Sequence, residues 1–200
     1  MLYSDKKILI CGDSFAADWD AEYPGCSGWP KLLANHYSVT NLAQAGCSEY
    51  RIYKQIKSVD LTKFDLVTVS HTSPYRIYAE YHPRQATDNI HGDCDLLYSD
   101  VKYLAKTNKD YQSVLTYFEQ FFSIEYAEFS YELLVNEIVR ELGQCPVLHL
   151  THQRSKLPFP VTDFSKTYKK YPGVINHYND KGNQMVFEQI VKLIDFKLAD

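Results

Sequence analysis

Short apolar runs alternate with amphipathic segments along this chain. Ile8, Leu9 and Ile10 make Lys7 to Cys11 read as a buried strand. Tyr37 to Leu42, rich in β-formers, reads as a second strand. Phe64 to Ser70 is a third, apolar enough to be buried on both faces, and Pro146 to Leu150 a fourth. Helical patterns fall between them. Gly28 to Ala34 opens with a proline in its first turn. Ile52, Ile56 and Val59 recur at helical spacing over Ser48 to Ser58. Asn179 to Leu198 reads as a terminal helix capped by Asn179 or Asp180, with Val186, Ile190, Val191 and Ile194 on one face. Strands alternating with helices predict an α/β sandwich around a parallel sheet of about five strands.

The middle of the chain departs from this rhythm. Tyr75 to Cys94 is polar and punctuated by His82-Pro83 and His91-Gly92, so it reads as a long excursion. Within it, His82, His91, Asp93 and Asp95 are expected to form a solvated loop. Asp100 to Leu142 reads as mostly helix, and Phe118, Phe121, Phe122, Tyr126 and Phe129 as a packing stripe. No repeat or linker divides residues 1–200, which predicts one domain with an excursion at about 75–142.

Composition narrows the function classes. Net charge is −4 with no basic block, which argues against a nucleic-acid partner. The five cysteines, Cys11, Cys26, Cys47, Cys94 and Cys145, are odd in number and show no CxxC spacing. A reduced, cytoplasmic setting is expected, with no disulfide framework or zinc ribbon. Cys11 and Cys47 read as small buried hydrophobes. No window has the roughly 20 apolar residues of a membrane span, and the first residues lack the core of a signal peptide. His149 and His152 sit at the end of the fourth strand without the acidic or cysteine partners of a metal site, and no cofactor motif is present.

Candidate chemistry lies where strands end. Ile8-Leu9-Ile10-Cys11-Gly12-Asp13-Ser14-Phe15 predicts a strand, a sharp turn carrying one hydroxyl, then a helix. Open α/β sheets bind ligands at the carboxyl ends of their strands, and a helix N-terminus favours developing negative charge. Asn41-Leu42-Ala43-Gln44-Ala45-Gly46 follows the second strand, and Gly46 lets its backbone N–H approach a ligand. His177 precedes the last helix, where a neutral imidazole could take a serine proton.

Together, Gly12-Asp13-Ser14, Gly28-Trp29-Pro30-x-Leu32-Leu33, Asn41-Leu42-Ala43-x-x-Gly46 and His177-x-Asn179-x-x-Gly182 resemble the SGNH/GDSL hydrolase family over nearly the whole chain. The resemblance implies a three-layer, flavodoxin-like fold and acyl transfer to water from esters, thioesters or O-acetylated glycans. It implies Ser14 as nucleophile, His177 as general base, and the Ser14 and Gly46 N–H groups as oxyanion donors. Two departures stand out. The family's Gly-x-Asn-Asp signature is replaced by Val69-Ser70-His71-Thr72-Ser73-Pro74-Tyr75-Arg76, with no asparagine. Thr72 and Ser73 carry the nearest hydroxyls. Ser73 is assigned to the oxyanion hole, and His71, Thr72 and Arg76 to substrate binding, Arg76 being suited to a carboxylate or phosphate. The family's aspartate, three residues before the histidine, is Val174 here. That predicts a Ser14–His177 dyad, with Asp163 or Asp180 as the substitute acids to consider.

The expected function is therefore hydrolysis of a small-molecule or glycan-linked ester. The alternatives are a non-catalytic binding protein on the same fold and an acyltransferase using the same serine. Oligomeric state is not legible in the sequence.

Overall fold

The computed structural model describes residues 5–21, 23, 25, 28–86, 89–153 and 157–198. Cys26 lies outside them. The strands of the central sheet are β1 (Lys7–Gly12), β2 (Ser38–Asn41), β3 (Leu66–His71), β6 (Val147–Thr151) and β7 (Thr162–Asp163). All pair in parallel, in the order β2-β1-β3-β6-β7. This is the 2-1-3-4-5 order of doubly wound sheets, in which the ligand crevice opens at the carboxyl ends of the strands flanking the first connection reversal. The fold is α/β, with a five-stranded parallel sheet as expected. The fifth strand, two residues long, is too short to leave a periodic signal.

The helices are α1 (Trp29–Ala34), α2 (Glu49–Lys57), α3 (Tyr98–Leu104), α4 (Tyr111–Gln120), α5 (Ile124–Leu142), α6 (Ser165–Lys170) and α7 (Asp180–Leu198). Strand alternation divides the core between two faces. Ile8 and Ile10 of β1 join Trp29 and Leu33 of α1 and Val186, Ile190 and Ile194 of α7. Leu9 and Cys11 point the other way, to Ile52 and Ile56 of α2 and Ile138 and Leu142 of α5. Burial lifts the Cys11 and Cys47 thiols well above their ordinary range, so both behave as the apolar residues expected.

The excursion builds a satellite core. Strands β4 (Arg76–Ile77) and β5 (Leu96–Leu97) pair antiparallel, and Ile77 and Leu96 pack with Val101, Ala105, Tyr111 and Phe118. Here the structure corrects two expectations. Asp95 and His82 are fully buried, not solvated. Asp95 accepts from the N–H groups of Ser48 and Ala79 and from Nε of Arg51. Arg51 also bonds Asp93 and the Ala79 carbonyl. This network straps the excursion to the start of α2. The aromatic stripe is likewise not a packed one. Phe118 is buried, but Phe121, Tyr126 and Phe129 are 69, 70 and 56% exposed.

Candidate active site

The turn after β1 is held by its carbonyls. Asp13 C=O accepts from Ala16 N–H, Ser14 C=O from the Trp19 indole, and Phe15 C=O from the Trp29 indole. Ala16 C=O accepts from the Asn41 amide and Ala17 C=O from the Asn176 amide. Gln55 grips the end of the strand, accepting from Gly12 N–H and donating to Gly12 C=O. No helix follows Ser14. The chain makes a turn and then one 3₁₀ turn at Trp19–Ala21. The expected helix dipole is thus absent, because side chains from elsewhere take the carbonyls that would have propagated a helix. What remains is a Ser14 N–H with no partner among the described residues.

Gly46 supplies a second free N–H. Its φ is +78°, and a Cβ there would lie 2.5 Å from Sγ of Cys94, so only glycine fits the turn. Its carbonyl is held by Asp95 N–H and by Nη1 of Arg76.

His177 reaches Ser14 from the far end of the chain. Its Nε2 lies 2.7 Å from Oγ of Ser14. Asn176 and His177 both adopt left-handed backbone, with φ of 48° and 63°. Such conformations persist only when the surroundings over-determine them. Here Asn176 donates to Ala17 C=O, Gly173 N–H to His177 C=O, and the Asn183 amide to the carbonyls of Ile175 and Tyr178. Asn183 also accepts from Trp29 N–H, and Asn179, not Asp180, caps α7 through Gly182 N–H. The Phe15 ring lies 4.4 Å from the imidazole, centroid to centroid. Burial, and then the charge of Arg76, lower the His177 pKa to about 4.

No described carboxylate bonds His177. Val174 is 78% exposed, and Asp163 is spent on the N–H and hydroxyl of Ser165. For Nε2 to accept from the serine hydroxyl, the neutral ring must carry its proton on Nδ1, and no described acid orients it. The pair is a dyad in its geometry.

The loop after β3 is more internal than the sequence suggested. His71 has both ring nitrogens engaged, Nδ1 with Glu49 at 2.6 Å and Nε2 with His149 at 2.9 Å. Thr72 is buried, its N–H on Glu49 and its hydroxyl on Asp13. Each is about 3% exposed. Both belong to the scaffold that fixes the end of β3, because Glu49 at the start of α2 claims them. Burial raises Asp13 to about 6, against the pull of Arg76, the Phe15 N–H and Thr72. Ser73 is partly exposed, and its Oγ accepts from Tyr75 N–H. His149 belongs to this chain of side chains, and His152 bonds the Tyr178 hydroxyl while stacking on Phe15. Among the described residues no cluster of histidine, cysteine and acidic side chains suits a metal ion.

Two hollows open beside this loop. One, of about 400 Å³, is walled by Ser73, Arg76 and the aromatic side chains of the excursion. The other, of about 740 Å³, is walled by Ser73, Tyr75, Glu132 and Pro158, among others. Neither has Ser14 or His177 in its wall, and Ser14 itself is 6% exposed. Ser73 is common to both hollows, and Arg76 lines the first. Sequence reasoning missed the roles of Asn176, Asn183, Gln55 and the two tryptophans; all but Trp19, five positions from Ser14, act through contacts more remote in sequence.

No family model matches the chain, and no curated protein does. Among solved structures it is similar to a candidate lipolytic protein of the G-D-S-L family from Desulfitobacterium hafniense DCB-2, at 12% identity and a TM-score of 0.41, covering 94% of this chain and 99% of that one. It is also similar to an extracellular lipase from Streptomyces rimosus, at 13% identity and a TM-score of 0.36, covering 98% of this chain and 76% of that one.

Proposed function

We propose that this protein is a serine-dependent hydrolase of small-molecule or glycan-linked esters. The observation that carries the reading is the 2.7 Å contact between Oγ of Ser14 and Nε2 of His177, formed across 163 positions of sequence. The N–H groups of Ser14 and Gly46 have no partner among the described residues. A lowered imidazole pKa keeps His177 neutral, as a general base must be.

In this mechanism His177 takes the Ser14 proton as Oγ attacks the ester carbonyl. The Ser14 and Gly46 N–H groups receive the oxyanion. The imidazolium then protonates the leaving alkoxide, and water repeats the cycle on the acyl-enzyme. Two features predict slow turnover. The family's oxyanion asparagine is missing, and a single donor of that kind is worth about 10²–10³ in rate. No described carboxylate orients His177, and a wrong tautomer in an established triad costs about 10⁴.

The test pairs an aryl acetate assay with labelling by a fluorophosphonate. Turnover and labelling in the native protein, both lost in Ser14→Ala and in His177→Ala, support the reading. Turnover persisting in Ser14→Ala would overturn it, and absence of labelling from pH 5 to 9 would favour a non-catalytic binding protein. Transfer to an added alcohol instead of water would make it an acyltransferase.

A further inference from the structure

Arg76 is the unusual group beside the dyad. It stands on the β4–β5 hairpin, half-buried, with no carboxylate partner among the described residues. Of the neighbouring acids, Asp93 and Asp95 are committed to Arg51 and Glu49 to His71 and Thr72, while buried Asp13 feels the Arg76 charge without forming an ion pair with it. Nη1 of Arg76 holds the Gly46 carbonyl, and Nε is buried without any partner. Burying a guanidinium N–H without an acceptor is costly. Such a cation is worth keeping where an anion arrives.

Arg76 also lines the 400 Å³ hollow, whose wall holds one other charged residue, the committed Glu49. The rest of that wall is largely aromatic, with Tyr50, Tyr78, Tyr117, Phe121, Phe122 and Tyr126 prominent. Tyr117, Phe121 and Tyr126 are exposed because they face this hollow and its rim in place of a packing partner. Its volume falls in the range of small-molecule sites, which are mostly apolar with a few orienting polar groups. Arg76 further depresses the His177 pKa, which places its charge within electrostatic reach of the base.

We propose that Arg76 and the aromatic hollow form a subsite for a carboxylate carried on an apolar acyl group, so that the preferred substrate is an anionic ester. This rests on the hydrolase reading for the ester, but not for the binding of the carboxylate. The planar guanidinium is suited to a carboxylate, and a charge-assisted hydrogen bond of this kind is worth about tenfold to a hundredfold in selectivity.

Two matched esters test it: 4-nitrophenyl hydrogen adipate and neutral 4-nitrophenyl hexanoate. The native protein should favour the adipate in kcat/KM by about tenfold or more. Arg76→Gln should erase that ratio, and Arg76→Lys should restore part of it. A native ratio near one would overturn the proposal. So would an equal loss on both esters in Arg76→Gln, which would place Arg76 on the oxyanion. Calorimetric titration of Ser14→Ala with 5-phenylvalerate and its neutral amide needs no turnover. Carboxylate binding that is weakened at least about tenfold by adding Arg76→Gln supports the subsite, and equal binding of acid and amide refutes it. If neither ester is hydrolysed, the hydrolase reading falls, and the titration alone decides the subsite.

Discussion

The environment of His177 sets a quantitative expectation for the pH dependence of turnover. An ordinary histidine titrates near 6.5, whereas burial and the Arg76 charge place His177 at about 4. At pH 5 a group of pKa 6.5 is only about 3% neutral, while one of pKa 4 is about 90% neutral. The acid limb of kcat/KM, which reports the free enzyme, should therefore leave activity nearly intact at pH 5. The difference between the two cases is roughly thirtyfold at that pH. Hydrolysis of 1-naphthyl acetate, followed by chromatography, avoids the loss of nitrophenolate absorbance in acid. Asp13, raised to about 6, titrates inside the same window, so the profile is repeated in Asp13→Asn to isolate the histidine. Arg76→Gln should move the limb upward, because removing a nearby cation eases protonation of the imidazole. A limb centred at or above pH 6.5 in both the native protein and Asp13→Asn would refute the assignment of a buried, cation-facing base. The same shifts act on stability in opposite senses. The depressed His177 withdraws stability as pH falls from 6.5 towards 4, and the raised Asp13 withdraws it as pH rises from 3.8 towards 6.

Three further perturbations probe the scaffold. Gly28→Ala would place a Cβ 1.4 Å from Oδ1 of Asn176. It should displace the loop carrying His177 and lower kcat by at least about tenfold, beyond any loss of melting temperature. Asn176→Ala removes the bond to Ala17 and leaves a left-handed φ to an alanine. Denaturant titration should show a loss of about 1–3 kcal/mol. Arg51→Met strands the buried Asp95 without a cation and should cost about 3–5 kcal/mol by the same measurement. A change below about 1 kcal/mol would show that Asp95 is satisfied by its backbone donors alone.

The resemblance in sequence and the geometry agree at the dyad for different reasons. Gly12-Asp13-Ser14 and His177 stand out because strand ends and helix starts leave local patterns. The oxyanion side was harder to read. His71 and Thr72 look like exposed polar residues at the end of a strand, but the carboxylate of Glu49 draws both inward. Glu49 gives no warning in the sequence, since a glutamate in the first turn of a helix is ordinary. The helix expected after Ser14 failed similarly: indole and amide donors from Trp19, Trp29, Asn41 and Asn176 take the turn's carbonyls.

Periodicity and punctuation by themselves determined the strands β1, β2, β3 and β6, the helices flanking them, and therefore the layered α/β class. These are local consequences of which side chains recur at which spacing. Only the tertiary structure decided that Ser14 meets His177, that no described acid bonds the imidazole, and that Arg76 lines an aromatic hollow with no ion-pair partner among the described residues. Those are relations between groups separated by up to 163 positions. They are fixed by packing and by competition for hydrogen-bond partners, which no local pattern encodes.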